Sequence, residues 1–547
     1  MTKQQGGQAS RKPAPVRVRV AIVAAAILAV LAPSSIQAAR RPGSNDASRT
    51  DPSGLETQPS GGDAIARGKY LTDAGDCVAC HTKPGGEAFA GGLYLKTPFG
   101  QLSTPNITPD NETGIGTWTG DQFYRVLHAG IGKGGEYLYP AMPFPWYTKV
   151  TRDDAMAIRT YLASVKPVHA PREPNRMTFP FNIRIGLLAW NEAFFHEGTF
   201  KPDPKQSAEI NRGAYLVEGL GHCGECHNGH VMLGAGTAAE PLRGGEIQGW
   251  YAPNLTSDVR EGIGKYSGDQ LVAYLKTGQA PGMGAVAGPM AQTIHDSLSK
   301  LNDADLHAIA AYLKSTPPEA SYSATQRSAY TGPQPEGRDV YLNNCVSCHQ
   351  RDGRGLKGSI ASLAGNGTVL AGGPQDVIRV VLGGLPAKGT DAPMPAAGEG
   401  MTDRQVADVV NYVRQAWGNT APPNAGGGMV ADLRGRTPAT FFGQTSGPCP
   451  PPAPADVAAA VSDPKLDIAN RLHAITEGNI LQIAEQAVTT LKAAVPHASQ
   501  ADIVNGLAAA YCPIVRQDTT LSGRQKVERL DEFSERVYSE LVSNGKE

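Results

Sequence analysis

The chain has 547 residues, too many for one ordinary domain, and a formal net charge of −1. A balance this close to neutral does not suggest a nucleic-acid partner or a polybasic contact with a membrane. Glycine (64 residues) and proline (42) are frequent, and aromatic residues make up 6% of the chain. This composition favours several small domains that are rich in loops.

The first predicted element is an export signal. The basic residues that precede an almost purely apolar run at 20–32 are Arg11, Lys12, Arg17 and Arg19. Small residues follow and suit cleavage near Ala38 or Ala39, the pattern of a signal peptide. An uncleaved anchor is the weaker alternative, because the run is shorter than the roughly 20 residues that span a bilayer. We expect a signal peptide at 1–38, a flexible linker at 39–62, and a periplasmic protein at the outer face of the cytoplasmic membrane.

The pattern Cys-x-x-Cys-His then occurs three times, at 77–81, 223–227 and 345–349. It is typical of c-type haem attachment, in which both thiols form thioethers with one haem and the histidine ligates the iron. A structural zinc site wants a second ligand pair nearby, so we expect three haem c groups instead. The residues expected to attach and ligate them are Cys77, Cys80, His81, Cys223, Cys226, His227, Cys345, Cys348 and His349.

Two predicted helices flank each motif. The helix before it contains a glycine and a tyrosine, and the helix that closes the unit has an acidic start and an apolar stripe at helical spacing. The candidate N-caps of the closing helices are Thr151, Asn302 and Thr402. This plan resembles class I cytochrome c. We therefore predict a mainly α fold with three tandem cytochrome c domains, at 63–168, 207–317 and 333–420.

A methionine close behind a proline precedes each closing helix. Met142, Met290 and Met394 lie 19, 22 and 18 residues before the tyrosine of that helix, whereas the rival Met283 lies 29 residues before it. Core packing is the default role of one methionine. Three at matching positions predict the sixth ligands of the irons, as in cytochromes c. Saturated irons would leave no open site for oxygen or peroxide.

The remaining segments connect or extend these domains. The aromatic-rich segment 169–206 is either a strap over the haem domains or part of a docking surface. We expect linkers at 318–332 and at the Pro/Gly-rich 421–460, then a helical region at 461–547. In an exported protein Cys449 and Cys512 should pair, two unpaired thiols being the alternative.

Several segments together carry a family resemblance. They include Thr-Pro-Asn-Ile-Thr-Pro-Asp at 104–110, Phe-Pro-Phe-Asn-Ile-Arg at 179–184, Asn-Arg-Gly-Ala-Tyr-Leu-Val-Glu at 211–218 and the three haem motifs. Over roughly 64–418 the chain resembles the tri-haem cytochrome c subunit of membrane-bound periplasmic dehydrogenases that serve alcohol, aldehyde, gluconate and fructose oxidation. The resemblance implies a separate dehydrogenase subunit as electron donor, and ubiquinone or a terminal oxidase as acceptor. The region past 455 departs from this pattern.

Three functions compete on these observations. The first, which we expect, is a non-catalytic electron-transfer subunit, because methionine and histidine would saturate the irons and no Gly-x-Gly-x-x-Gly motif follows a strand. The second is a haem enzyme, a peroxidase or thiosulfate-type oxidase with one labile sixth ligand. It would use the second motif, which His222 and His230 flank, although surface histidines are the default for both. The third is a free-standing shuttle or oxidase-linked subunit.

Overall fold

The structure is a computed structural model that describes residues 61–230, 233–234, 236, 241–280, 283–321, 335–356, 360–385, 394–437, 454–498, 500–521 and 523–543. These residues belong to one compact unit. They are mainly helical, with three small antiparallel sheets, so the expected mainly α fold is confirmed. The expected signal peptide lies outside the described residues. Among the described helices, none is long and apolar enough to cross a membrane.

The first domain is built on two helices that cross at a glycine. Its elements are α1 (Gly61–Ala74), α2 (Cys77–His81), β1 (Tyr94–Thr97), β2 (Gly100–Ser103), α3 (Gly120–Ala129), α4 (Phe144–Tyr147) and α5 (Arg152–Ser164). Helix α1 packs against α5. A Cβ atom at Gly68 would lie 2.1 Å from the carbonyl oxygen of Ala157, so only glycine allows the helices to come this close. Thr151 caps α5 as predicted, because its hydroxyl accepts a hydrogen bond from the backbone N–H of Asp154.

The aromatic-rich segment 169–206 lies along the first domain. Its elements are β3 (Arg176–Met177), which pairs with β2, and α6 (Gly186–Phe194). The ring of Phe195 meets that of Phe144 edge to face, with centroids 4.9 Å apart. Phe179 and Ile185 nevertheless remain 80% and 71% exposed. The segment therefore covers part of the domain and also presents an apolar outer face, so both interpretations of the sequence keep support.

The second domain repeats this plan. Its elements are α7 (Ala208–Tyr215), α8 (Gly224–His227), β4 (Gly245–Ile247), β5 (Trp250–Ala252), α9 (Gly268–Thr277), β6 (Gln279–Ala280), β7 (Gly284–Ala285), α10 (Gly288–Asp296) and α11 (Asp303–Ser315). Helix α7 packs against α11. A Cβ atom at Gly213 would lie 1.9 Å from the carbonyl oxygen of Ala308. Asn302 caps α11 by accepting a hydrogen bond from the backbone N–H of Asp305.

The third domain is shorter than the first two, but its first and last helices also cross at a glycine. Its elements are α12 (Pro335–Asn344), α13 (Val346–His349), α14 (Gly367–Leu370), α15 (Gln375–Gly383), α16 (Asp403–Gln415) and α17 (Gly427–Arg434). A Cβ atom at Gly337 would lie 2.1 Å from the carbonyl oxygen of Asp408, and Thr402 caps α16 in a capping box. Helix α17 falls inside the segment predicted as a linker. It forms there because Val430 and Leu433 are buried against the third domain.

The C-terminal region folds around a core of its own. Its elements are α18 (Ala455–Ser462), α19 (Ile468–His473), α20 (Ile480–Ala494), α21 (Gln500–Gln517) and α22 (Gly523–Ser543). Leu472, Leu491 and Leu530 are fully buried in that core, so the predicted helical appendage is confirmed. Cys512 is buried and disulfide-bonded. Its pairing with Cys449 stays a prediction, because Cys449 lies outside the described residues.

A buried carboxylate on the first domain binds side chains of two domains. Asp154 is fully buried. It accepts a hydrogen bond at 2.5 Å from Arg67 of its own domain and another at 2.5 Å from the hydroxyl of Tyr215 on the second domain. The same hydroxyl accepts a hydrogen bond from the backbone N–H of Thr151. A single carboxylate thus ties α1, α5 and α7 together.

The second domain makes the reciprocal contact with the first. Asp305 accepts hydrogen bonds at 2.7 Å from Arg212 of its own domain and at 2.6 Å from the hydroxyl of Tyr70 on the first domain. Each carboxylate therefore binds the arginine of its own domain and the tyrosine of the other. The two domains meet by equivalent faces, as the halves of an isologous dimer do. We call this set the interdomain clamp: Arg67, Tyr70, Asp154, Arg212, Tyr215 and Asp305.

The third domain carries different residues at the clamp positions. We aligned the three domains on the crossing glycine and on the residue whose carbonyl it faces. In this alignment the third domain has Glu336, Asp339 and Gln405 at the positions of the clamp arginine, tyrosine and aspartate. The tyrosine that the sequence pattern matched to the others, Tyr341, lies two positions further on. It is fully buried and donates a hydrogen bond to the carbonyl oxygen of Gln350 at 2.6 Å. The third domain therefore cannot pair with a neighbour in the manner of the first two.

The clamp makes a prediction about stability. Asp154→Asn removes the buried charge that pairs with Arg67, so we expect the free energy of unfolding of the domain pair to fall by about 3 kcal/mol. Asp153→Asn, on the exposed side of the same helix, is the matched control and should change it little. Urea denaturation followed by circular dichroism measures both variants. Equal effects of the two substitutions would contradict the role given to the clamp.

Candidate haem-binding sites

One backbone carbonyl orients the histidine of the first motif. Nδ1 of His81, in α2, lies 2.8 Å from the carbonyl oxygen of Pro105. The next residue, Asn106, fixes that loop, because its amide donates a hydrogen bond to the carbonyl oxygen of Val168 at 2.7 Å. Its side-chain oxygen also accepts one from the backbone N–H of Thr108 at 2.9 Å. The conspicuous Thr-Pro-Asn-Ile-Thr segment thus serves to present a carbonyl to the histidine.

The second motif is held in the same way. Nδ1 of His227, in α8, lies 2.7 Å from the carbonyl oxygen of Pro253. Asn254 donates a hydrogen bond to the carbonyl oxygen of Glu319 at 2.6 Å and accepts one from the backbone N–H of Thr256 at 2.7 Å. The shared sequence of the two units therefore produces the same local geometry.

The third motif reaches that geometry by another route. The third unit lacks the Pro-Asn segment in its sequence, and Nδ1 of His349 instead lies 3.2 Å from the carbonyl oxygen of Ala361. Ala361 follows a tight backbone bridge in which Leu356 and Ile360 exchange hydrogen bonds of 3.1 and 2.8 Å. All three motif histidines consequently have Nδ1 engaged by a backbone carbonyl.

This arrangement sets the tautomer of each histidine. Burial lowers the pKa of His349 to about 4 and also lowers the pKa values of His81 and His227. The rings are therefore neutral at pH 7, with the proton on Nδ1 and the lone pair on Nε2. A metal-ligating histidine commonly has its other ring nitrogen bound in this way. The histidines fit the proximal position of a haem iron.

The six motif cysteines are partly buried and form no disulfide. Burial raises the pKa of Cys77, Cys223 and Cys226 to about 12 and that of Cys80 to about 11, so these thiols are protonated at pH 7. Within the described residues, no three His, Cys, Asp or Glu side chains gather as a metal ion would need.

The three methionines expected as ligands lie in three different kinds of local backbone structure. Met142 precedes α4 and donates its backbone N–H to the carbonyl oxygen of Tyr139 at 3.0 Å. Met290 is in the first turn of α10, and Met394 forms a backbone bridge with Leu385. All three side chains are half-buried. Their ligation of iron stays a prediction.

The first two motifs are neighbours. Trp146, in α4 of the first domain, donates a hydrogen bond from its indole nitrogen to Glu225 of the second motif at 2.8 Å. A Cβ atom at Gly224 would lie 2.4 Å from the ring of Trp146, which explains glycine where the other motifs have Val78 and Val346. The indole of one domain therefore packs directly on the haem motif of the other.

The second domain makes the reverse contact. Helix α10, which carries Met290, packs against α2 of the first motif. Burial raises the pKa of Asp76, and that of Glu225 on the other motif, to about 7. Sequence reasoning missed this pairing. A signal was present, since Arg, Tyr and Asp recur at matching places in the first two repeats and not in the third.

The two histidines that flank the second motif, His222 and His230, are not the surface residues that the sequence suggested. His222 has a left-handed backbone (φ 37°) and meets the ring of Tyr147, on the first domain, with centroids 5.4 Å apart. Burial lowers its pKa to about 4. Nδ1 of His230 is also buried and, within the described residues, has no hydrogen-bond partner. His222 is therefore part of the contact between domains, because the motif it precedes faces the first domain.

The ligand assignment predicts distinct spectra. Met142→Leu, Met290→Leu and Met394→Leu keep the side-chain volume but remove the sulfur, so each should abolish the methionine–iron charge-transfer band of one haem and lower its potential. Met283→Leu is the matched control for the second domain and should leave the band intact. Near-infrared absorption of the oxidised holoprotein measures this. Loss of the band in Met283→Leu but not in Met290→Leu would reverse the assignment.

The contact between motifs predicts a steric effect. Gly224→Ala should displace Trp146 and break its hydrogen bond to Glu225, at a cost of about 1–3 kcal/mol in the free energy of unfolding. Gly268→Ala is the control, because a Cβ atom there meets nothing within 4 Å. Thermal unfolding and tryptophan fluorescence measure the change. An unaltered Gly224→Ala protein would show that the indole is not seated on the motif.

Comparison with known proteins shows which family this chain resembles. The cytochrome c family matches residues 210–317 and 335–417. The cytochrome c subunit of alcohol dehydrogenase (quinone) from Gluconacetobacter polyoxogenes is 38% identical over 394 residues, which are 68% of this chain and 84% of that protein. The fructose dehydrogenase cytochrome subunit of Gluconobacter japonicus is 40% identical over 390 residues, 65% of this chain and 80% of that protein.

A third relative is much longer than the matched part. This relative, one of the subunits of nicotinate dehydrogenase from Pseudomonas putida, is 40% identical over 367 residues, which are 65% of this chain but 31% of that protein. The chain thus spans about a third of that relative, whereas it spans at least 80% of the other two. Together with the three haem motifs, these matches show that the chain belongs to the family of dehydrogenase cytochrome c subunits.

Proposed function

We propose that this chain is the tri-haem electron-transfer subunit of a dehydrogenase complex and has no substrate site of its own. The observation that carries this proposal is the threefold recurrence of one site, a Cys-x-x-Cys-His motif whose histidine has Nδ1 bound to a backbone carbonyl. When bound, haem c supplies a one-electron ferric/ferrous couple, and methionine ligation raises its potential.

Contacts within the chain join the three domains in order. The interdomain clamp joins the first two domains, and their motifs are neighbours through Trp146 and α10. The second and third domains are joined by Asp376, which accepts a hydrogen bond from the backbone N–H of Tyr251 at 2.8 Å. Arg379 adds a stacking contact over Trp250, with 4.8 Å from its guanidinium carbon to the ring centroid. This series supports a relay.

The donor, the acceptor and the location are part of the proposal. Relatives named as cytochrome subunits of alcohol and fructose dehydrogenases support a catalytic dehydrogenase subunit as donor. Ubiquinone or a terminal oxidase would accept the electrons. The signal-peptide pattern at 1–38 supports export to the periplasm, where the protein would associate with the outer face of the cytoplasmic membrane.

The relay predicts a fixed haem content and low-spin iron. Purified holoprotein should contain three haems per chain by pyridine haemochromogen assay, and its ferric electron paramagnetic resonance spectrum should be entirely low-spin. A variant with both Cys345→Ala and Cys348→Ala should contain two. A high-spin or ligand-exchangeable iron would overturn the relay and support a haem enzyme with a labile sixth ligand.

The same preparation tests partner and location. A dehydrogenase subunit should co-purify from the periplasmic and membrane fractions, and the mature protein should begin near residue 39. Recovery of this chain alone, fully loaded with haem, would favour a free-standing shuttle. Recovery from the cytoplasm would contradict export.

A further inference from the structure

The C-terminal region packs on the third haem motif. Helix α22 contacts α13, which carries Cys348 and His349. Cys348 and Ile360, both of the third domain, lie against the apolar core of the C-terminal region. The match to the cytochrome c family ends at residue 417, so this contact is made by a part of the chain beyond the family domains.

The contact lies on the loop that orients the proximal histidine. Ile360 packs on the C-terminal core, and the carbonyl of the adjacent Ala361 binds Nδ1 of His349. The backbone at Gly355 and Ile360 approaches closely, since a Cβ atom at Gly355 would lie 2.4 Å from the carbonyl oxygen of Ile360. A force that holds Ile360 in place therefore also holds the partner of His349.

The other two motifs show what this contact replaces. The first and second motifs cover each other through Trp146 and α10. The third domain has Glu336, Asp339 and Gln405 in place of the clamp residues, and these side chains cannot form a third copy of that pairing. Helix α22 occupies the equivalent role, with Leu530, Phe533 and Val537 buried along one stripe.

We infer that the C-terminal region, which the structure describes at 454–498, 500–521 and 523–543, is a built-in cover for the third haem motif. It excludes water from the thioether side of that site and prevents an external redox partner from approaching there. Exclusion of water disfavours the more highly charged ferric state, so the cover raises the potential of the third site. This inference rests on the proposed function in one respect, namely that the third motif carries haem.

The test loosens the cover in the full-length holoprotein. Ile360→Arg places a charge against the apolar core of the C-terminal region, and Leu481→Arg, at a position 51% exposed on α20, is the control with the same substitution. Hydrogen exchange reports on Val346–His349 and α22. Stopped-flow reduction by ascorbate and a redox titration report on the third site, which Met394→His identifies by the shift of its potential.

Ile360→Arg should accelerate hydrogen exchange in both segments several-fold. The third site should then be reduced faster and at a lower potential, with the other two sites and Leu481→Arg unchanged. If Ile360→Arg does not fold, Ile360→Ala should show the same signs with smaller size.

Two outcomes would overturn the inference. The first is unaltered protection of Val346–His349 in both Ile360 variants. The second is an exposed motif with unaltered potential and reduction rate. A haem content below three per chain in the unsubstituted protein would instead refute the tri-haem proposal. The hydrogen-exchange data would still test whether the C-terminal region protects Val346–His349.

Discussion

Two buried carboxylates determine how the first two haem-binding domains meet. Asp154 and Asp305 each bind an arginine of their own domain and a tyrosine of the other. A buried ion pair adds little net stability, because desolvation offsets its Coulomb attraction. Its directional hydrogen bonds do favour one arrangement of the two faces. The packing of Trp146 on the second motif, and of α10 on the first, depends on that arrangement.

The proximal histidines show how different loops can satisfy one chemical requirement. His81 and His227 use the carbonyl of a Pro-Asn segment, whereas His349 uses Ala361 in a loop of another kind. The requirement is a proton on Nδ1, which a hydrogen-bond acceptor there stabilises and which leaves the lone pair on Nε2 available to a metal. Any loop that brings a carbonyl to that point is sufficient, which accounts for the divergence of the third unit.

Each haem motif is flanked by another element of the chain. The first two motifs flank each other, and the third lies against the C-terminal helices through Cys348 and Ile360. This division follows from three positions, because Glu336, Asp339 and Gln405 cannot reproduce the arginine, tyrosine and aspartate of the clamp. A domain without its pairing face acquired a different neighbour. The three motifs are therefore covered by different parts of the chain.

Features that depend on residues close together in the chain were determined by the sequence itself. The haem motifs, the N-caps at Thr151, Asn302 and Thr402, and the three-domain α fold all follow from local spacing and helical periodicity. Contacts between distant segments were decided only by the tertiary structure. They include the clamp, the carbonyl that binds His349, the place of His222 between domains and the C-terminal helices on the third motif. The physical reason is that periodicity shows which face of a helix is buried, whereas the partner of that face depends on shape and hydrogen bonding across the whole fold.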